Sequence, residues 1–202
     1  MKNAGTTLIV VAAIVAGVVI YEVAKPDPMR EPTAAEVKLE VDKLKTEAAK
    51  QHPDMPQSDA MKQVATAQAT EMLKTGDAET RAKTAAGIFF GSYYMNTRAR
   101  PAYCKQRGVD LAPFVAAFDR AHREELTRAR EIFVRGGIDP ESMVPNIQDQ
   151  FVAMIEQDMK DFAAGAKVPP DSACILFNEN STLIAEAIQL PPEVKRTLLA
   201  QY

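Results

Sequence analysis

The sequence predicts an all-α protein, a single bundle of about five to six helices with one disulfide, preceded by a membrane-spanning helix and a proline-rich spacer. Three observations carry that prediction. Glycine is scarce at 9 residues, while Ala, Glu, Lys and Gln abound and β-branched residues concentrate in the first twenty positions; such a composition suits helices better than sheets. Beyond position 33, apolar residues recur at spacings of three and four, the period of a helix with one buried face. Finally, two cysteines stand far apart, with no CxxC and no neighbouring histidine pair, which removes support for a zinc site or a thioredoxin-like motif.

Nearly half of the 202 residues are apolar (47%), enough for one core plus an appendage. Residues 1–24 form the appendage, residues 25–57 a spacer and stalk helix, and residues 58–202 the helical bundle. From Thr6 to Tyr21 there is no charge, and extending the run to Ala24 adds only Glu22. About 19 residues at roughly 1.5 Å each span on the order of 28 Å, close to the hydrocarbon thickness of a bilayer. A removable signal peptide competes with an uncleaved anchor. Cleavage wants small residues at the last and third-last positions before the cut, and a cut after Ala24 would put Glu22 in the third-last place. The anchor is the reading adopted: a single pass through a bacterial inner membrane, Lys2 on the cytoplasmic side and the C-terminal domain in the periplasm. Lys25 and Arg30 flank the other end, so the positive-inside rule gives this orientation little weight. The cysteines give more, because in an exported chain an even pair reads as a structural disulfide, Cys104 with Cys174. The competing reading is two buried free thiols.

The segment from Lys25 to Thr33 carries three prolines and alternating charge, the marks of an extended, solvated spacer. Ala34, Val37, Val41, Leu44 and Ala48 then trace a thin helical seam, which offers a coiled-coil homodimer or packing back on the domain. Two prolines within residues 51–57 end that helix. Ser58 is a fair N-cap for the next, which runs to Gly76. Asp77 caps a central helix from Ala78 to about Arg98 whose middle is apolar nearly all round, as expected of a helix enclosed by others. On it Gly87 and Gly91 share a face and permit close helix packing. Pro101 and Gly108 interrupt this helix. Asp110 caps the next, with a stripe through Leu111, Phe114, Phe118, His122, Leu126, Ala129 and Phe133 that ends at Gly136 and Gly137. Asp139 and Pro140 open a further helix ending near Gly165. The segment around Cys174 to Ile188 reads as one broken helix or two short ones, and Pro191 and Pro192 start the last.

Charge is segregated. Residues 98–135 hold nine Lys/Arg against five Asp/Glu, and residues 136–202 hold four against ten, so adjacent helices from the two halves attract each other.

No catalytic constellation emerges. His122, with Asp119 three before and Glu125 three after, forms a single Asp-x-x-His where bundle metal sites need carboxylates and histidines from several helices; no metal and no cofactor is expected. A histidine at the edge of a core stripe, bonded to a neighbouring carboxylate, is the reading preferred for it. Ser92 lies inside a helix and cannot form a nucleophile elbow. Glu156, Asp158 and Asp161 read as a solvated acidic surface.

The best binding candidate is the end of the central helix, where Tyr93, Tyr94, Asn96, Arg98, Arg100, Tyr103, Lys105 and Arg107 interleave aromatic and basic groups able to stack on and neutralise an anionic partner. Tyrosines in the core and arginines paired to the acidic half form the competing reading. With a net charge of −3 and an exported body, nucleic acid is not the expected partner. Together these residues predict a non-enzymatic, membrane-anchored periplasmic domain acting through protein contacts in the cell envelope. The alternative is an enzyme or small-ligand carrier with a pocket beside the central helix near Tyr93, Tyr94, Arg98 and His122.

Overall fold

Thr33 opens the first helix with a capping box: its hydroxyl accepts from the Glu36 amide at 3.3 Å while the Glu36 carboxylate accepts from the Thr33 amide at 2.8 Å, so two helix-end donors are satisfied at once. The computed structural model describes residues 33–55 and 57–200, apart from the side chains of residues 58, 62, 149, 150 and 153. The expected membrane helix and the spacer, residues 1–32, lie outside the described residues, as does the Ser58 side chain proposed as a cap. No described helix is long and apolar enough to cross a membrane.

Helix α1 (Ala34–Gln51) buries Val37, Val41, Leu44 and Ala48. That seam packs against α2 (Gln57–Thr75) and α7 (Val144–Ala166) of the same chain, and a Gln68–Glu47 hydrogen bond of 2.9 Å ties α1 to α2. The stalk helix therefore packs back on the bundle. Gly76 makes the tight turn into α3 (Ala78–Tyr94): a Cβ there would meet Met72 O and Thr80 Cγ2 at 2.9 Å. Asp77 caps α3, accepting from the Thr80 amide at 2.7 Å. From Thr84 to Tyr94 every residue of α3 is buried, Gly87 and Gly91 included; the enclosing helices are α2, α6 (Arg123–Arg135) and α10 (Pro192–Leu199).

Pro101 does not stop this helix, contrary to the sequence expectation. The chain passes through one π-helical turn, Met95–Ala99, and continues as α4 (Arg100–Lys105). Widening the turn moves the Arg100 amide onto the Met95 carbonyl, and the Thr97 carbonyl, four residues before the amide that proline lacks, accepts instead from Arg98 Nη1 at 3.3 Å.

A second difference falls at His122, where the single expected helix divides into α5 (Ala112–Ala121) and α6. No glycine or proline marks the break. Then Asp139 caps a 3-10 turn, Pro140–Met143, that leads into α7. This last helix overruns Gly165 and closes on Lys167, which adopts the left-handed conformation at φ 57°, with the Val168 amide bonding back to Ala163 O at 3.0 Å. The segment 173–187 is two short helices, α8 (Ala173–Glu179) and α9 (Ser181–Ala187), and α10 completes the chain. The bundle thus has ten α-helices among the described residues where about five to six were expected, because several turns split what composition alone joins. One continuous apolar core runs from Val37 to Leu198.

Candidate functional site

The expected binding stretch, from Tyr93 to Arg107, is mostly interior. Tyr94 is buried and its hydroxyl donates to the Pro140 carbonyl; its ring stacks near Phe90, which meets Phe133 edge-on at 5.0 Å. Burial raises the Tyr94 phenol well above its ordinary pKa. Tyr93 stacks near Phe89. Burial, then the adjacent Asp119 carboxylate, push its phenol upward too, so both rings remain neutral at any physiological pH.

Arg100 is the centre of the stretch. Its side chain is 1% exposed, and its guanidinium donates to Asp158 at 2.5 Å and to the Asn96 side-chain oxygen. The Phe177 ring lies 4.6 Å beneath it. Burial pulls the Arg100 pKa down and the Asp158 carboxylate pushes it back up. One nitrogen, Nε, has no hydrogen-bond partner among the described residues. Four residues on, Cys104 bridges to Cys174 with a Cα separation of 5.5 Å, both cysteines being fully buried. Asn96, Arg100, Asp158 and Phe177 therefore form a polar node one helical turn from the disulfide that joins α4 to α8.

The remaining basic groups divide. Arg98 pairs with Glu141 at 3.5 Å, and Arg130 meets the same carboxylate at 2.8 Å. Arg107 folds over the ring of Tyr103, 3.5 Å from its centroid, and donates to that residue's carbonyl. Arg98, Arg100 and Arg130 from the basic half thus find Glu141 and Asp158 in the acidic half, which is the pairing the segregated charge predicts.

His122 does not bond to a carboxylate, as its sequence neighbours suggested. Its Nε2 lies 3.3 Å from the Ala185 carbonyl in α9, and its ring packs 4.3 Å from that of Phe118. The carbonyl can only accept, so Nε2 carries a proton; burial holds the His122 pKa below the ordinary histidine value, against the opposing pulls of Glu125 and of this hydrogen bond. Glu125, 3% exposed, pairs instead with Lys195 of α10 at 2.6 Å. Among the described residues no group of three or more His, Cys, Asp or Glu could hold a metal.

Asp158 is the residue that sequence reasoning misplaced. The sequence expectation places it with Glu156 and Asp161 on a solvated surface, but it shares the stripe of Phe151, Ile155 and Phe162, spaced by four, three and four along α7, and is 6% exposed. A carboxylate on an apolar stripe asks for a buried cation, and Arg100 lies on the corresponding face of its own helix. Glu156 does sit at the surface, paired with Lys160 at 3.0 Å.

These features define an all-helical, disulfide-closed domain with an ion pair at its centre. No protein-family model, curated protein or solved structure matches the chain.

Proposed function

We propose that this chain is a bacterial inner-membrane protein, anchored by its N-terminal apolar segment, whose helical domain stands in the periplasm and acts through contacts with other envelope proteins. The supporting observation is the Cys104–Cys174 bridge at the core of the domain. A disulfide built into a packed interior suits a chain that folds where thiols oxidise, and the uncharged run from Thr6 to Tyr21 supplies a route to that compartment. Surface contact is favoured over chemistry at the central helix because Tyr94 and Arg100 are already committed to Pro140 and Asp158. No described observation favours the alternative pocket near Tyr93, Tyr94, Arg98 and His122.

The test is protease access in spheroplasts carrying the chain with a C-terminal epitope. Externally added protease should remove the epitope while a cytosolic marker stays intact, and the chain should sediment with membranes and resist carbonate extraction. An epitope protected until the membrane is lysed, or a chain recovered from the soluble cytosol, would refute the proposal.

A further inference from the structure

We infer that acid opens this domain locally: protonation of His122 frees the C-terminal segment from α9 through α10, residues 181–199, while the rest of the bundle stays closed. His122 stands at the junction of α5 and α6, 3% exposed, where no glycine or proline forces the break. Four elements meet its ring. α5 presents the Phe118 ring at 4.3 Å, and α9 presents the Ala185 carbonyl at 3.3 Å from Nε2 and, just past its end, the main chain of Ile188. The charged groups facing it are Glu125 of α6 and Lys195 of α10. Those two already pair with each other at 2.6 Å, and Glu125 is itself 3% exposed.

With a neutral ring these charges cancel. Nε2 keeps its proton on the Ala185 carbonyl whether the ring is charged or not, so a second proton, at Nδ1, adds one positive charge where water does not reach. That charge repels the Lys195 ammonium and competes with it for the Glu125 carboxylate, so the tie from α6 to α10 weakens. Burial is the largest influence on the ring and holds its pKa below the ordinary histidine value; the imidazole takes its proton more readily once the segment has lifted and water reaches it. The frame around the site decides what opens. α9 and α10 have 7 and 8 residues, too few to persist as helices without tertiary contacts, and chain ends of this kind open at the lowest cost. The preceding helix, α8, is pinned to α4 by the Cys104–Cys174 bridge, so opening stops there. A further polar tie, from Arg128 to the Ala200 carbonyl at 3.0 Å, does not titrate. α10 lies on α3 and α6 with Val194 and Leu198 buried, and its departure bares the apolar surface beneath it.

The experiment is hydrogen exchange read by mass spectrometry on the full chain in detergent at pH 7.5 and 5.5, with rates corrected for the intrinsic effect of pH. Peptides within residues 181–199 should exchange about fivefold faster at the lower pH, about tenfold being the ceiling for a histidine whose open-state pKa is the ordinary value of about 6.5. Peptides from α1, α3 and α8 should change by less than about twofold, because global unfolding is not the event. His122→Gln, whose amide can still donate to Ala185 but takes up no proton, should remove the acid response, while His52→Gln leaves it intact. If His122→Gln disturbs the fold, judged by circular dichroism at pH 7.5, the imidazole NMR titration of the unmodified chain takes its place, with 2 histidines to assign. The His122 midpoint must then lie below about 6.5, and exchange of residues 181–199 must rise between the two values. Acceleration shared by all helices, no acceleration, a response that survives in His122→Gln, or a His122 that titrates at or above the ordinary value would overturn the inference.

Discussion

At the scale of single residues, the Arg100–Asp158 pair dominates because both groups are removed from water. Desolvating a guanidinium and a carboxylate costs several kcal/mol per ion before their attraction returns any of it. Half of such a pair is far worse than none. Asp158→Ala, which strands the Arg100 charge, should cost about 3–5 kcal/mol in urea unfolding, whereas Arg100→Met combined with Asp158→Leu should recover most of that loss. Additive losses in the double variant would show that the pair is not the source of the effect. His122 is read by pH. Its folded pKa lies below the ordinary value, so between the two the unfolded chain binds more protons than the folded one. Stability is then full above about pH 6.5 and falls as the pH drops toward the folded pKa. The urea midpoint should therefore be lower at pH 5.5 than at 7.5, and His122→Gln should flatten that difference; an unchanged slope in the variant would assign it to other groups.

At the scale of elements, α1 is the clearest test of what holds the body together. Leu44 is 4% exposed within the shared core, so Leu44→Ala should cost about 2–4 kcal/mol. A helix standing apart from the domain would lose far less. The end of α7 makes a prediction of opposite sign: Lys167 holds a positive φ of 57°, a conformation glycine adopts without the Cβ clash. Lys167→Gly should thus stabilise the chain by about 0.5–1 kcal/mol, read from the same midpoints. Helix starts were legible in the sequence where a cap marks them, as at Asp77 and Asp139, and the enclosed α3 was legible from its uninterrupted apolar middle. The break at His122 was not, because a carbonyl in α9 far along the chain meets that side chain and no local residue forces the kink. Pro101 misled for the converse reason. It is a strong local signal, yet the preceding π-helical turn accommodates it without ending the helix. In the candidate site, the aromatic and basic residues are legible in the sequence, but the placement of Arg100 depends on Asp158, an acid that shares a stripe with Phe151 and Ile155 on a distant helix.

At the scale of the whole molecule, two devices determine which helices meet. Opposite charge brings Arg98 and Arg130 to Glu141, and Arg100 to Asp158. The disulfide joins positions 70 residues apart, a loop whose closure stabilises the fold by about 4 kcal/mol in the chain-entropy model. The disulfide suits a domain that folds in an oxidising compartment, and the proposed role depends on that compartment. The most direct measurement is the thiol state in intact cells, trapped by acid quenching and then labelled with a maleimide heavy enough to shift gel mobility. Neither Cys104 nor Cys174 should label before reduction and both should label after it. Two reactive thiols in the freshly quenched native chain would contradict the account.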